Sequence, residues 1–165
     1  MTKTTKLKEG EIYAIPLFLS EVPSLKRILK KEFENRGKEF AFCRIIADKQ
    51  GGGYFIEVFD LIGDLNQSME SIISANRLFE PIAISGLAMI KNRWRKLYTQ
   101  DFYDKEKDSK YSEIKLVLGT NDDLKLFQNG KETPISEIEA TKYEFWKIWG
   151  SSQLEKRIIE ELNKH

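Results

Sequence analysis

Apolar positions along this chain fall into short runs parted by glycines and charged turns, and two periods can be read in them. Glu11 to Leu19 (Glu-Ile-Tyr-Ala-Ile-Pro-Leu-Phe-Leu) opens after Gly10 and is rich in aromatic and β-branched residues, so it reads as a strand. Pro16 lacks a backbone donor, which confines that strand to an edge or a bend. From Ser24 to Arg36 the period changes: Leu25, Ile28, Leu29 and Phe33 share one face of a helix. Ser24 suits the N-cap of that helix and Gly37 its C-cap. Lys26, Arg27, Lys30 and Lys31 form its opposite, wet face, which amphipathicity alone requires.

Phe40–Ala47 and Tyr54–Ile62 flank Gly51-Gly-Gly53 and predict an antiparallel hairpin. Both runs are nearly all apolar rather than alternating, so both faces of this hairpin are expected to be covered. Residues 67–75 read as a short helix. Pro81–Ile84 and Leu87–Ile90 are brief apolar segments parted by Gly86, and residues 92–99 continue with Trp94, Leu97 and Tyr98. Residues 101–111 form a charged loop. Ile114–Leu118 is a strand, and Leu124–Gln128 and Glu132–Ile135 flank Asn129-Gly130, the strongest hairpin-turn signal in the chain. Tyr143–Trp149 is an aromatic strand ending at Gly150, in which Phe145 and Trp149 share one face and Trp146 takes the other. A final helix follows, with Ser152 and Glu155 at capping-box spacing and Leu154, Ile158 and Leu162 as its apolar stripe.

This order of elements predicts an α+β protein: a strongly bent antiparallel sheet or small barrel with helices packed on it. A chain of 165 residues fits one domain, 1–165, with a β-rich part at 8–98 and further strands plus the last helix at 99–165.

Charge narrows the function classes. Formal net charge is +1, too near balance to draw in nucleic acid or an anionic membrane by its overall field. Residues 1–50 carry 11 basic and 7 acidic side chains, while residues 101–165 carry 11 and 14, a mild asymmetry. The apolar runs fall short of the ~20 residues a bilayer span needs. The polar, lysine-rich start and a lone cysteine, Cys43, fit a reducing compartment, and the expected location is the cytoplasm.

Chemistry is hard to place. The one histidine, His165, is the last residue and cannot serve a buried triad or a His-based metal site. Cys43 lies within a core strand with no base to activate it, so it reads as structural. Gly51-Gly-Gly53 lacks the Gly-Lys-Ser/Thr ending of a phosphate loop. Asp122-Asp123 has turn composition, and Glu160-Glu161 falls on the wet side of the last helix. The reading is therefore no catalytic residue, no metal site and no cofactor. Arg93-Trp94-Arg95-Lys96 is the sharpest basic cluster and carries an aromatic, as nucleic-acid sites do. Its competing reading puts Trp94 and Leu97 in the core with Arg93, Arg95 and Lys96 in water.

Three strand motifs point further. Lys8-Glu-Gly-Glu-Ile-Tyr-Ala-Ile-Pro-Leu17, Phe40-Ala-Phe-Cys-Arg-Ile-Ile46 and Tyr54-Phe-Ile-Glu-Val-Phe-Asp60 resemble the immunity protein 26 family of bacterial polymorphic toxin systems. Leu78-Phe-Glu-Pro-Ile82 and Trp94 are similar to a later proline-containing strand and tryptophan segment of that family. The resemblance covers residues 8–98, with 21–37 as an insertion between the first two strands. It implies tight binding to a cognate protein toxin, a nuclease being one such class, without catalysis or cofactor. Against a basic nuclease, an acidic and aromatic surface would serve. The loop bearing Asp101, Tyr103, Asp104, Glu106, Asp108 and Tyr111 fits that description. The alternative is a small β-barrel that binds nucleic acid through Arg93, Arg95, Lys96 and the basic face of the first helix.

Overall fold

The computed structural model describes residues 7–24 and 26–164. Its strands form two mixed sheets. The larger has six strands in the order β10-β4-β3-β2-β1-β5: β1 Glu11–Pro16, β2 Phe40–Asp48, β3 Tyr54–Gly63, β4 Ile82–Ile84, β5 Arg95–Thr99 and β10 Ile148–Trp149. The smaller has four, in the order β8-β7-β6-β9: β6 Lys115–Leu118, β7 Lys125–Gln128, β8 Lys131–Pro134 and β9 Glu144–Phe145. Five α-helices accompany them among the described residues: α1 Met69–Ile73, α2 Leu87–Ile90, α3 Lys105–Ser109, α4 Glu137–Ala140 and α5 Ser151–Leu162. The α+β expectation holds, but its finer form does not. Neither sheet closes into a barrel, and neither is purely antiparallel, because β10 runs parallel to β4 and β9 parallel to β6.

The predicted β2/β3 hairpin forms the centre of the large sheet and is buried on both faces, which explains its unbroken apolar runs. On one face, Tyr13, Ile15, Cys43, Ile45, Ile56 and Val58 pack with Trp94 and with Leu154 and Ile158 of α5. The other face is covered in two patches. Phe40, Phe42 and Phe59 meet α1 through Ile72 together with Leu19 and Phe33. Ile46 and Phe55 meet the small sheet through Leu116 and Phe127. Between these patches the face carries a directly opposed charged pair, Arg44 and Glu57.

Several local signals act as expected. Pro16 ends β1, beyond the residues that pair with β5, and the chain then bends into a 3-10 turn at Leu17–Leu19. Asn129 and Gly130 both take positive φ, 51° and 77°, as the tight β7/β8 turn requires. In α5, Leu154 and Ile158 are buried and Leu162 is half-buried.

Three expectations are corrected. The helix over 24–36 is absent among its described residues: Leu29 and Glu34 have extended backbone on either side of a single 3-10 turn, Lys30–Phe33. Leu25 lies outside the described residues. The start of that region is instead tied to other parts of the fold. The guanidinium of Arg93 takes the carbonyls of Leu19 (2.7 Å), Val22 (2.9 Å) and Pro23 (3.0 Å), and Ser24 Oγ is engaged with Ser151 and Ser152 at the start of α5. The aromatic stretch 143–149 is not one strand. Glu144–Phe145 joins the small sheet and Ile148–Trp149 the large one, so this segment ties the two together. Its pivot is Trp146, whose ring lies 4.9 Å from Phe55 and 5.1 Å from Phe127 and whose Nε1 donates to Gly52 O. Finally, α5 is capped at Gly150, whose N–H donates to Gln153 Oε1, rather than by Ser152 and Glu155.

Candidate partner-binding surface

The Arg44–Glu57 pair explains how the charged loop is held. In an antiparallel sheet, directly opposed residues on one face are within reach of each other. Here Arg44 Nε donates to Glu57 Oε2 at 3.0 Å, with both side chains almost fully buried. Arg77 Nε donates to the other carboxylate oxygen at 3.0 Å. A buried carboxylate needs further donors, and Ser109 at the end of α3 supplies one through its hydroxyl. The remaining guanidinium nitrogens reach the loop backbone: Arg44 Nη2 donates to Asp108 O, Arg77 Nη2 to Ser109 O, and Arg44 Nη1 to Gln100 Oε1. Residues 100–109 are thus bolted to the centre of the sheet through charge-assisted hydrogen bonds.

Tyr103 completes the seat. Its hydroxyl donates to Ser109 Oγ at 2.6 Å, its ring lies under the Arg44 guanidinium at 5.2 Å, and it rests against Gly10. Burial pushes the Tyr103 phenol well above its ordinary range, and the charge of Glu57 adds to this. Gly10 has φ +87°, and a Cβ there would meet Tyr103 Cβ at 2.7 Å, so only glycine lets the loop lie this close. At the far end, Tyr111 accepts from Lys49 Nζ at 2.7 Å.

The six residues singled out in this loop divide by position. Asp101, Asp104 and Glu106 are exposed, whereas Tyr103, Asp108 and Tyr111 are half-buried. Asp104 caps α3, accepting from the backbone N–H of Glu106 and of Lys107, and those bonds hold its carboxyl below the usual range. Glu106 accepts from the hydroxyl and the N–H of Ser112, which lowers its carboxyl likewise. Sequence reasoning passed over Phe102. It is 100% exposed and has φ +57°, a left-handed backbone that a bulky side chain rarely adopts. It stands beside Asp101 at the tip of the clamped loop. Arg44 and Glu57 were also missed, though each is a charge interrupting a long apolar run.

The basic cluster at 93–96 is redistributed. Trp94 is in the core, as one reading held, but Arg93 is not in water: it is 3% exposed and pairs with the fully buried Glu155 at 2.7 and 3.0 Å. Trp94 Nε1 donates to the same carboxylate at 2.9 Å. Lys96 pairs with Glu11 at 2.8 Å. Burial raises the Cys43 thiol far above its ordinary value, so it stays protonated and suits packing rather than attack. Among the described residues, no helix is long and apolar enough to cross a membrane.

No curated protein and no solved structure matches this chain. The sequence pattern of immunity protein 26 matches residues 8–124, beyond the span 8–98 and through the clamped loop into β6 and the turn after it. The chain belongs to the immunity protein 26 family.

Proposed function

We propose that this protein neutralises a cognate bacterial toxin by binding it, without chemistry of its own, and that Phe102 is the central anchor of the contact. The observation that carries this reading is the pairing of full exposure with a fixed backbone. Solvent gains nothing from a phenyl ring at a loop tip, and a left-handed phenylalanine costs about 1–2 kcal/mol. With Gln100 and Tyr103 clamped on either side, the backbone that presents the ring adds little ordering cost when a partner's pocket takes it. Asp101, Asp104 and Glu106 are exposed around it, with Lys107 and Lys110 exposed among them, and Asp101 is the acid beside the ring that suits a basic partner face, such as that of a nuclease, whose substrate is a polyanion. Tyr103, Asp108 and Tyr111 serve as the seat rather than the contact.

The test is co-expression with the product of the adjacent gene, reading growth and co-purification. The intact chain should restore growth and co-purify. Phe102→Ala should weaken the complex by about 30-fold or more, the scale of a hot-spot residue, while the fold is kept. Equal binding by the variant would remove Phe102 from the interface, and failure of the intact chain to bind would remove the function.

A further inference from the structure

A second feature shares no residue with the Phe102 loop. Arg95 sits on β5, opposite Ala14 of β1, and its guanidinium lies over the Phe33 ring at 4.0 Å. Among the described residues it makes no ion pair, and its Nε is buried without a hydrogen-bond partner. A half-buried cation left without an acid is costly, and burial accordingly lowers the Arg95 pKa. Elsewhere in this protein, buried arginines have partners: Arg44 has Glu57, and Arg93 has Glu155.

Arg95 lines an open cleft of about 710 Å³ with an apolar floor of Phe33, Phe40, Leu65 and Leu97. Lys30, Arg36 and Lys96 stand around it with Glu34 and Asp64. Lys96 is held by Glu11 and Arg36 by Glu39, which leaves Arg95 and Lys30 as the lining cations without an ion pair among the described residues. A guanidinium stacked on a ring leaves its N–H donors in the plane, the fork that receives a carboxylate in two parallel bonds. Glu34 and Asp64 would repel a doubly charged phosphate more than a singly charged carboxylate. The apolar floor suits side chains next to that carboxylate.

We propose that this cleft binds a carboxylate-bearing segment of a protein ligand, with an aspartate or glutamate of that segment forked on Arg95 and apolar neighbours resting on Phe33 and Leu97. The site does not depend on the toxin reading or on Phe102.

The test uses the full chain and a capped peptide of alternating glutamate and leucine, titrated while the Arg95 Nε–Hε resonance is followed by NMR, with inorganic phosphate in a parallel arm. The peptide should shift that resonance saturably. Arg95→Lys should bind about tenfold more weakly although the charge is kept, because one of the two parallel bonds is lost. Equal affinity of R95K would show mere charge attraction, and no saturable shift, or a response to phosphate alone, would overturn the assignment. Thermal unfolding gives an independent check. R95L should melt at or above the temperature of the unchanged protein, since no ion pair or hydrogen bond is lost and leucine keeps an apolar contact in place of the stack on Phe33; a clear fall would make Arg95 a structural residue and sink the proposal.

Discussion

Substituting Glu57→Gln tests whether the buried ion network, rather than apolar packing, fixes the loop. Glu57 is 3% exposed and Arg44 4%, and the pair sits between Phe42 and Ile46 on one strand and Phe55 and Phe59 on the other. The amide keeps the shape but removes the negative charge facing two guanidinium groups. Arg77 is 26% exposed and can turn to water, whereas Arg44 cannot. The largest loss therefore comes from one uncompensated buried cation, which costs about 3–5 kcal/mol. Against a total of about 5–15 kcal/mol for a domain, this is a large share. It corresponds to a fall in Tm of about 6–20 °C at ~2–4 °C per kcal/mol for a chain of this size.

Urea unfolding followed by tryptophan fluorescence gives the first number, and amide hydrogen exchange gives the location. Asp108 N–H bonds Asp104 O and Lys110 N–H bonds Glu106 O within the loop, so these amides should lose protection well before those of β2 and β3. The decisive comparison is a double replacement, Arg44→Met with Glu57→Leu. Removing both leaves no uncompensated buried charge between those positions; the Ser109 hydroxyl and the Asp108 carbonyl lose partners, but neutral groups cost less than a bare cation, so the double variant should be more stable than E57Q. A cost below about 1 kcal/mol for E57Q, the level of an exposed pair, would refute the argument. So would a double variant less stable than the single one.

Two further outcomes follow from the same geometry. Gly10→Ala should cost about 2–5 kcal/mol, the sum of a left-handed alanine and a forced shift of a packed neighbour. Its signature in hydrogen exchange should centre on Tyr103, whose Cβ lies 2.7 Å from the added atom, with calorimetry giving the total. Stability should also fall in alkali. Burial raises Cys43, Tyr13 and Tyr103 above their ordinary values of 9.0 and 10.0. The folded state then keeps protons that the unfolded state releases, so the stabilisation is complete below about pH 9 and is lost as pH rises beyond it. In Cys43→Ala the decline of the urea midpoint should begin about one pH unit higher, where the tyrosines take over.

What could be read from sequence was what local chemistry decides. Asn129-Gly130 has few backbone options, the β2 and β3 runs are too apolar for anything but a covered sheet, and the stripe on α5 has only one face to bury. The failures share one feature, partners outside the segment overriding its local pattern. Residues 24–36 carry a helical period, yet Ser24 is engaged with Ser151 of α5 and Phe33 packs against Phe18 and Phe40. Residues 143–149 read as one strand, yet each end finds a different sheet, because Trp146 fits between Phe55 and Phe127. The candidate loop was legible as acidic and aromatic. Which of its acids are used internally was not, since that depends on α3 forming and on Ser112 folding back to Glu106.

The large sheet leaves a gap on one face between two apolar coverings, and the chain fills it with charge. Phe59 has α1 above it and Phe55 has the small sheet, so Arg44 and Glu57 lie where neither reaches. A short helix made of lysines, acids and a serine could not seal an apolar gap, but its backbone and Ser109 satisfy a carboxylate and two guanidinium groups. Every bond in that seat comes from β2, β3, Arg77, the loop backbone, Gln100, Tyr103 or Ser109. None comes from the side chains of Asp101 or Phe102. Placement and presentation are therefore encoded by different residues. The tip can change its side chains without loosening the seat, whereas a change in the seat moves the whole tip. The strand register, which sets Arg44 opposite Glu57, supplies that separation.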